Sequence, residues 1–303
     1  MIVGRRKKSS IELLFSLRGS VLPHILPWIV VMTLAAALVV LVETTLFTLP
    51  MANAGAFAVF GIALSLFLGF RNNAAYERWW EGRKLWGQLI ADSRALAREL
   101  ELFLPDDRET RDRIIRLLLA FVHLHRANLR EMAPDDAARA WAGPELGEAL
   151  IASPQPACAA INRIAALLTQ ARQDGRLDGF GARALAERLD QITQAQAGCE
   201  RIATTPLPFV YSLLIYRTSV LYCLLVPFGM VEIAGWMTPP LVAVITYMFF
   251  GLAEVTEELD RPFLVSANGL PLDALCRVIE ISMSTHLGQK APPPLMAVDS
   301  YLS

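Results

Sequence analysis

Four long segments with at most one charged residue each constrain this chain most strongly. Residues 25–42 and 54–70 form two such segments, and residues 233–253 form another. Residues 202–231 interrupt the pattern only once, at Arg217. A helix rises about 1.5 Å per residue and the hydrocarbon core of a bilayer is about 30 Å thick, so each segment is long enough to cross it. The sequence predicts an all-α membrane protein with four transmembrane helices.

Composition and motifs exclude several classes of protein. Hydrophobic residues make up 54% of the chain and charged residues 19%, which excludes disorder. A net charge of −1 offers no basic surface for nucleic acid. No phosphate-binding glycine loop, dinucleotide fingerprint or nucleophile elbow is present, and His123 and His125 are spaced to face different sides of a helix. We expect no enzyme activity, no cofactor and no metal site, and we interpret the four cysteines as packing thiols in a reducing compartment.

The positions of Lys and Arg predict the orientation. Basic residues lie before the first segment and after the second: Arg5, Arg6, Lys7, Lys8 and Arg18, then Arg71, Arg78, Arg83 and Lys84. The connections 43–53 and 232–240 contain neither Lys nor Arg. Because positive loops stay inside, we predict a multi-pass protein of the cell inner membrane with both termini cytoplasmic.

Between the second and third membrane segments the sequence becomes charged and periodic, with apolar residues recurring every three or four positions. This pattern predicts a helical cytosolic domain. The predicted organisation is a cytosolic N-terminal segment (1–23), transmembrane spans one and two (24–71), the cytosolic helical domain (72–201), spans three and four (202–254), a cytosolic helical segment (255–287) and a flexible C-terminal tail (288–303).

The second span carries two stripes of residues at helical spacing. One is small and favours close helix contact: Gly61, Ser65 and Gly69. The other is bulky and points in one direction: Ile62, Leu66 and Phe70. The bulky stripe packs against other spans or lipid in one interpretation, and forms a pore constriction in the other.

Three sequence blocks resemble the bestrophin family of ion channels in its bacterial branch. They are GIALSLFLGFRNNAAYERWWEGRKLWG from Gly61, GCERIATTPLPFVYSLLIYRT from Gly198 and EELDRPFLVSANGLPLDALCR from Glu257. The resemblance implies a homopentamer around an axial pore, with Ile62, Leu66 and Phe70 in its hydrophobic neck. It also implies a cytosolic aperture at Phe180, for which the alternative is a core aromatic. Small rotations of span two are then expected to open and close the neck.

Two properties of the implied channel stay open in the sequence. Animal members conduct chloride, whereas Glu43 and Glu232 in the outer connections favour sodium or potassium if they face the mouth; the alternative is that they serve only the solubility of the loops. The acidic calcium clasp of animal members is replaced here by residues without carboxylates, 264–269, so we expect no calcium clasp. Monovalent inorganic ions, the lipid bilayer and further copies of the chain are the expected partners. The competing hypothesis is a non-conducting, membrane-anchored helical scaffold for a cytosolic partner.

Overall fold

The computed structural model describes residues 1, 19–46, 48, 53–134, 136–298 and 301–303. In these ranges the chain is helical, and the sole β pairing is an isolated bridge between Val298 and Tyr301. The helices are α1 (Leu22–Thr45), α2 (Ala54–Phe103), α3 (Arg108–Leu129), α4 (Ala137–Ala142), α5 (Pro144–Ile151), α6 (Pro156–Gln173), α7 (Gly179–Thr204), α8 (Phe209–Leu225), α9 (Pro227–Ala234), α10 (Thr238–Asp260) and α11 (Leu272–His286). The all-helical prediction is confirmed, while most of the predicted N-terminal segment lies outside the described residues.

The chain divides into two compact units, and the apolar unit comprises Arg6–Trp79 and Pro206–Arg261. Within it, α10 packs against α1 and α8. Its hydrophobic core includes Met32, Leu68, Val242 and Phe250. Within the described part of the chain, three helical stretches are long and apolar enough to cross a membrane: Leu22–Thr45, Ala54–Phe103 and Phe209–Asp260.

The bounds of the last two predicted spans differ from the structure for reasons of backbone chemistry. Residues 202–204 belong to α7 and not to span three, since Pro206 and Pro208 cannot continue a helix and α8 begins only at Phe209. The predicted start of span four at Ile233 lies in the short helix α9. A single 3₁₀ turn follows, in which Gly235 has a φ of +50°, a backbone conformation that favours glycine. α10 then starts at Thr238 with proline in its first turn.

The second unit comprises Met1–Arg5, Trp80–Thr205 and Pro262–Ser303. Its centre is α3, which packs against α4, α6 and α11. The Asp107 side chain caps the start of α3 by accepting a hydrogen bond from the backbone N–H of Thr110 at 3.1 Å. The periodicity predicts α3, α6 and α7 but not the short helices α4 and α5, which meet at Gly143 (φ +88°).

The predicted C-terminal tail has no helix after His286 among its described residues, and its last residues are hydrogen-bonded. The backbone N–H of Ala274 in α11 donates to the carbonyl of Ser303 at 2.9 Å. The amino group of Met1 donates to the carbonyl of Leu302 at 2.6 Å, and Leu302 N–H returns a bond to Met1 at 2.8 Å. The end of the tail is therefore held against α11 and the first residue.

Candidate functional site

The bulky stripe of α2 is uncovered in the protomer. The exposed fractions of Ile62, Leu66 and Phe70 are 69%, 55% and 61%. Together with Ser65, Gly69 and Asn73 they line one shallow open concavity. Eight residues of helix separate the first and last of the three, so the stripe is about 12 Å long. Other spans of the same chain therefore do not cover these side chains, and one part of the packing interpretation is wrong.

The opposite face of α2 is fixed inside the apolar unit. Leu64, Leu68 and Ala75 are at most 5% exposed. At Gly61 the helix approaches α8 so closely that an added Cβ would lie 2.5 Å from the hydroxyl oxygen of Tyr222. This contact confirms the predicted close-packing role of Gly61.

The other glycine of the small stripe, Gly69, has no such contact, since a Cβ there would meet nothing within 4 Å. At the end of the uncharged segment, Arg71 Nη2 donates to Ser212 Oγ of α8 at 2.8 Å. Gly61 and Arg71 thus contact α8 at two positions along α2. These two contacts hold α2 in an orientation that leaves the bulky stripe facing outward.

Phe180 lies at the start of α7 in the second unit. The Asp178 side chain caps this helix by accepting from Gly181 N–H at 2.6 Å. Gly181 lets α7 approach Phe103, whose Cβ would lie 2.8 Å from an added Cβ. These contacts leave the Phe180 side chain 83% exposed. Phe180 is therefore not a core aromatic of the protomer.

The two acidic candidates of the outer connections belong to the apolar unit. Glu43 lies in the last turn of α1 and is half-buried, whereas Glu232 lies on the short helix α9 and is exposed. Their carboxylates add negative charge near the ends of these helices.

The nearest carboxylate after residues 264–269, that of Asp273, is bound by other groups of the protein. Its two carboxylate oxygens accept hydrogen bonds from Arg126 Nη1 at 2.7 Å and Arg130 Nη1 at 2.6 Å. Burial acts to raise the pKa of this carboxyl, but the hydrogen bonds from Arg130 and Ser303 and the two positive charges leave the pKa below its usual 3.8. Among the described residues no three His, Cys, Asp or Glu side chains are grouped to hold a metal.

The environment of His125 could not be predicted from the sequence. Its ring is stacked between Trp86 and Phe121, with centroid separations of 5.8 and 5.7 Å. Neither ring nitrogen has a hydrogen-bond partner in the described part of the chain, and burial lowers the pKa of His125 to about 3. This histidine is a neutral core residue. His123, by contrast, bonds Glu280 at 2.7 Å, so the two histidines serve different contacts as their spacing predicts.

Comparisons with known proteins agree with this architecture. The profile described as bacterial/fungal bestrophin protein matches residues 1–285. The chain is 44% identical to voltage-dependent anion channel-forming protein mll4386 of Mesorhizobium japonicum over 305 residues, covering 100% of this chain and 97% of the relative. It is 38% identical to voltage-dependent anion channel-forming protein YneE of Salmonella typhi, covering 93% of each.

A solved structure gives the same result for the fold. The crystal structure of a bacterial bestrophin homologue from Klebsiella pneumoniae superimposes with a TM-score of 0.82 and 33% identity, covering 89% of this chain and 99% of that one. The names of the relatives are those of channels, in agreement with the conclusion from sequence that the chain is not an enzyme. This chain belongs to the bacterial and fungal bestrophin family.

Proposed function

We propose that the chain is one subunit of a homopentameric channel that conducts monovalent ions passively through a hydrophobic neck. The observation that carries the proposal is the face formed by Ile62, Leu66 and Phe70, which is more than half exposed on a helix apolar enough to span a membrane. Family membership and the names of the relatives support conduction.

The setting of α2 in the protomer suits a ring around an axis. Leu64 and Leu68 each lie two residues from Leu66, which places them about 160° around the helix. Both are at most 5% exposed, so the protomer packs behind α2 and leaves the neck face in front. Five helices at the usual separation of about 8 to 10 Å have their centres about 7 to 8.5 Å from the axis. With a helix radius of about 5 to 6 Å, the opening has a radius of roughly 1 to 3.5 Å.

An opening of this size admits an ion with few or no water molecules. Apolar side chains cannot replace the hydration of an ion, so conduction depends on whether the neck is wetted. The neck therefore acts as a gate and does not choose between ions. Phe180, 83% exposed at the start of α7, forms a second constriction on the cytosolic side.

The proposed subunit crosses the inner membrane four times with both termini cytoplasmic. The stretch Phe209–Asp260 supplies two crossings, because α10 packs against α8 and the chain must reverse between them. The left-handed Gly235 lies at this reversal. Four crossings place Arg71 on the same side as the N-terminus, as the charge pattern predicts.

Two observations bear on the sign of the permeant ion. The names of the relatives favour an anion. Glu43 and Glu232 favour a cation, because ten carboxylates in a pentamer would concentrate cations at the outer mouth. Reversal potentials in planar bilayers under separate sodium and chloride gradients decide between the two. The absence of any current at all would contradict the proposal.

The competing function is a membrane-anchored scaffold that conducts no ions. It is favoured only by the size of the second unit, which exceeds what a minimal pore requires. Native mass spectrometry in detergent separates the two, since the channel requires five copies of a 33.4 kDa chain. A monomer or dimer together with silent bilayers would establish the scaffold.

A further inference from the structure

The apolar unit contains a cavity of about 300 Å³. Its wall includes Trp28 near the start of α1, Arg71 on α2, Ser212 near the start of α8 and Glu254 and Glu257 near the end of α10. Each position is within about two turns of the end of an apolar segment, which is the depth of lipid headgroups. A volume near 300 Å³ is at the lower end of the range for small-ligand sites.

Charges of opposite sign line this cavity without being paired to each other. Among the described residues the Arg71 side chain has one hydrogen bond, to Ser212, and no ion pair. Arg71 Nε is buried and has no partner among the described residues. On α10, Glu254 Oε1 lies 3.7 Å from Nδ1 of His24, which also lines the cavity, and this pair is charged only when the histidine is protonated. For Glu257 the described part of the chain shows no ion pair. A ligand with one negative and one positive group would pair with the arginine through the first and with the glutamates through the second.

We propose that this cavity binds the headgroup of a phospholipid that carries both a phosphate and a primary ammonium, as phosphatidylethanolamine does. The phosphate oxygens accept hydrogen bonds from the Arg71 guanidinium and the Ser212 hydroxyl. The ammonium donates to the carboxylates of Glu254 and Glu257. Hydrogen bonds between charged groups are the strong ones, and here a low-dielectric boundary strengthens them further.

The same wall discriminates between headgroups. A choline group has no N–H to donate, so it leaves both carboxylates without hydrogen bonds. A glycerol headgroup leaves the negative charge of the carboxylates unbalanced. Trp28 packs edge-on against Tyr216 at 5.6 Å, and both rings line the cavity with apolar surface that suits the interfacial part of a lipid.

A second cavity shows where the acyl chain goes. An apolar groove of about 530 Å³ runs between α2 and α8 and also has Arg71 in its wall. On α2 the groove extends from Phe60 to Ala74, a length of about 21 Å, whereas half of the hydrocarbon core is about 15 Å thick. A phosphate held at Arg71 therefore places its acyl chain along the groove. Soluble phosphoethanolamine has no acyl chain to fill this groove, so the occupant is a lipid. The site does not depend on ion conduction.

Native mass spectrometry of the full chain in detergent tests the proposal with three lipids of identical acyl chains: phosphatidylethanolamine, phosphatidylcholine and phosphatidylglycerol. We expect phosphatidylethanolamine to bind roughly tenfold more tightly than the other two lipids, because each of them lacks the hydrogen bonds from the ammonium to the carboxylates. The double variant Glu254→Gln, Glu257→Gln should bind phosphatidylethanolamine only as well as phosphatidylcholine. Arg71→Gln should weaken all three lipids.

The matched control is Glu258→Gln, which removes a carboxylate one residue along α10 that does not line the cavity, and it should keep the preference. Equal retention of the three lipids, or an unchanged preference in the double variant, would overturn the proposal. Displacement of the lipid by free phosphoethanolamine at equal concentration would do the same, as would an image of the assembled protein with a neighbouring copy filling the cavity and groove.

Discussion

Two leucines on α2, Leu66 and Leu68, separate the contribution of this helix to the pore from its contribution to stability. Leu66 is 55% exposed in the protomer, whereas Leu68 is 1% exposed and packs in the core of the apolar unit. The substitutions Leu66→Ala and Leu68→Ala remove the same atoms from the same helix. We expect the first to change conduction with little change in stability, and the second to do the reverse.

The magnitudes follow from the different surroundings. Leu68→Ala leaves a cavity in a close-packed core and should destabilise the fold by about 2 kcal/mol or more. This value is at the lower end of those measured for such substitutions, because in a membrane the lipid tails are as apolar as the core and the transfer contribution is small. Leu66→Ala leaves no cavity and should change stability by less than about 0.5 kcal/mol. A Leu side chain contributes about 1.5 to 3 kcal/mol of apolar transfer energy. If removing the side chain lowers the free energy of wetting by a tenth to a fifth of this transfer energy in each subunit, five subunits together lower it by about 1.5 kcal/mol. This changes the equilibrium constant for wetting roughly tenfold.

The assay combines thermal unfolding in detergent with single-channel recording in planar bilayers. Leu66→Ala should raise open probability roughly tenfold at an unchanged unfolding temperature. Leu68→Ala should lower the unfolding temperature, and its surviving channels should conduct like the unmodified protein. The neck assignment is refuted if Leu66→Ala leaves open probability unchanged in protein that is pentameric and folded.

Three further predictions concern packing, pH and calcium. Gly61→Ala should be less stable than Gly69→Ala by about 1 to 3 kcal/mol, and should unfold at a lower temperature, because only the first forces a Cβ against Tyr222; equal stabilities would contradict this close contact. His125 has a pKa of about 3 in the folded protein and 6.5 in the unfolded chain, so between these pH values it takes up a proton only on unfolding. Acidification from pH 6 to pH 4 should therefore lower the free energy of unfolding by about 1.4 kcal/mol per pH unit. His125→Phe should flatten this slope when the unfolding temperature is measured against pH. Calcium at millimolar concentration should leave the unfolding temperature unchanged, because Asp273 is bound by two arginines; saturable calcium binding with one ion per subunit would contradict this.

The sequence predicts the membrane segments well because their signal is local. A run without charges is unstable in water and stable in lipid wherever it packs, so its existence does not depend on tertiary contacts. The positions where these helices begin and end depend on prolines and on Gly235, whose effect on the backbone is clear only once the path of the chain is known. Periodicity also revealed the stripe of Ile62, Leu66 and Phe70. It did not reveal that the protomer covers the face of Leu64 and Leu68 and leaves the bulky stripe open, because the spacing of residues on a helix does not show what packs against each face.

Other features have no local signature at all. The stacking of His125 joins α2 to α3, and the cavity at Arg71 is formed by four helices from distant parts of the sequence. In the sequence Arg71 is one of several basic residues after an apolar run, which predicts only orientation. Its hydrogen bond to Ser212 and the presence of Glu254 and Glu257 in the same cavity are products of the fold.

The packing of α2 also bears on how a neck of this kind opens. Rotating the helix by one residue position, about 100°, would move Gly61 away from Tyr222 and bring a bulkier side chain against that hydroxyl. Because Arg71 is bonded to Ser212 ten residues further along, the same rotation would also break that contact. Both costs act in each of five subunits, whereas a change in side-chain rotamer or in the wetting of the neck disturbs neither contact. A rotation of this size is thus opposed by the contacts of α2 with α8, so we expect gating to arise from wetting of the neck, with at most the small rotations of span two expected from the sequence.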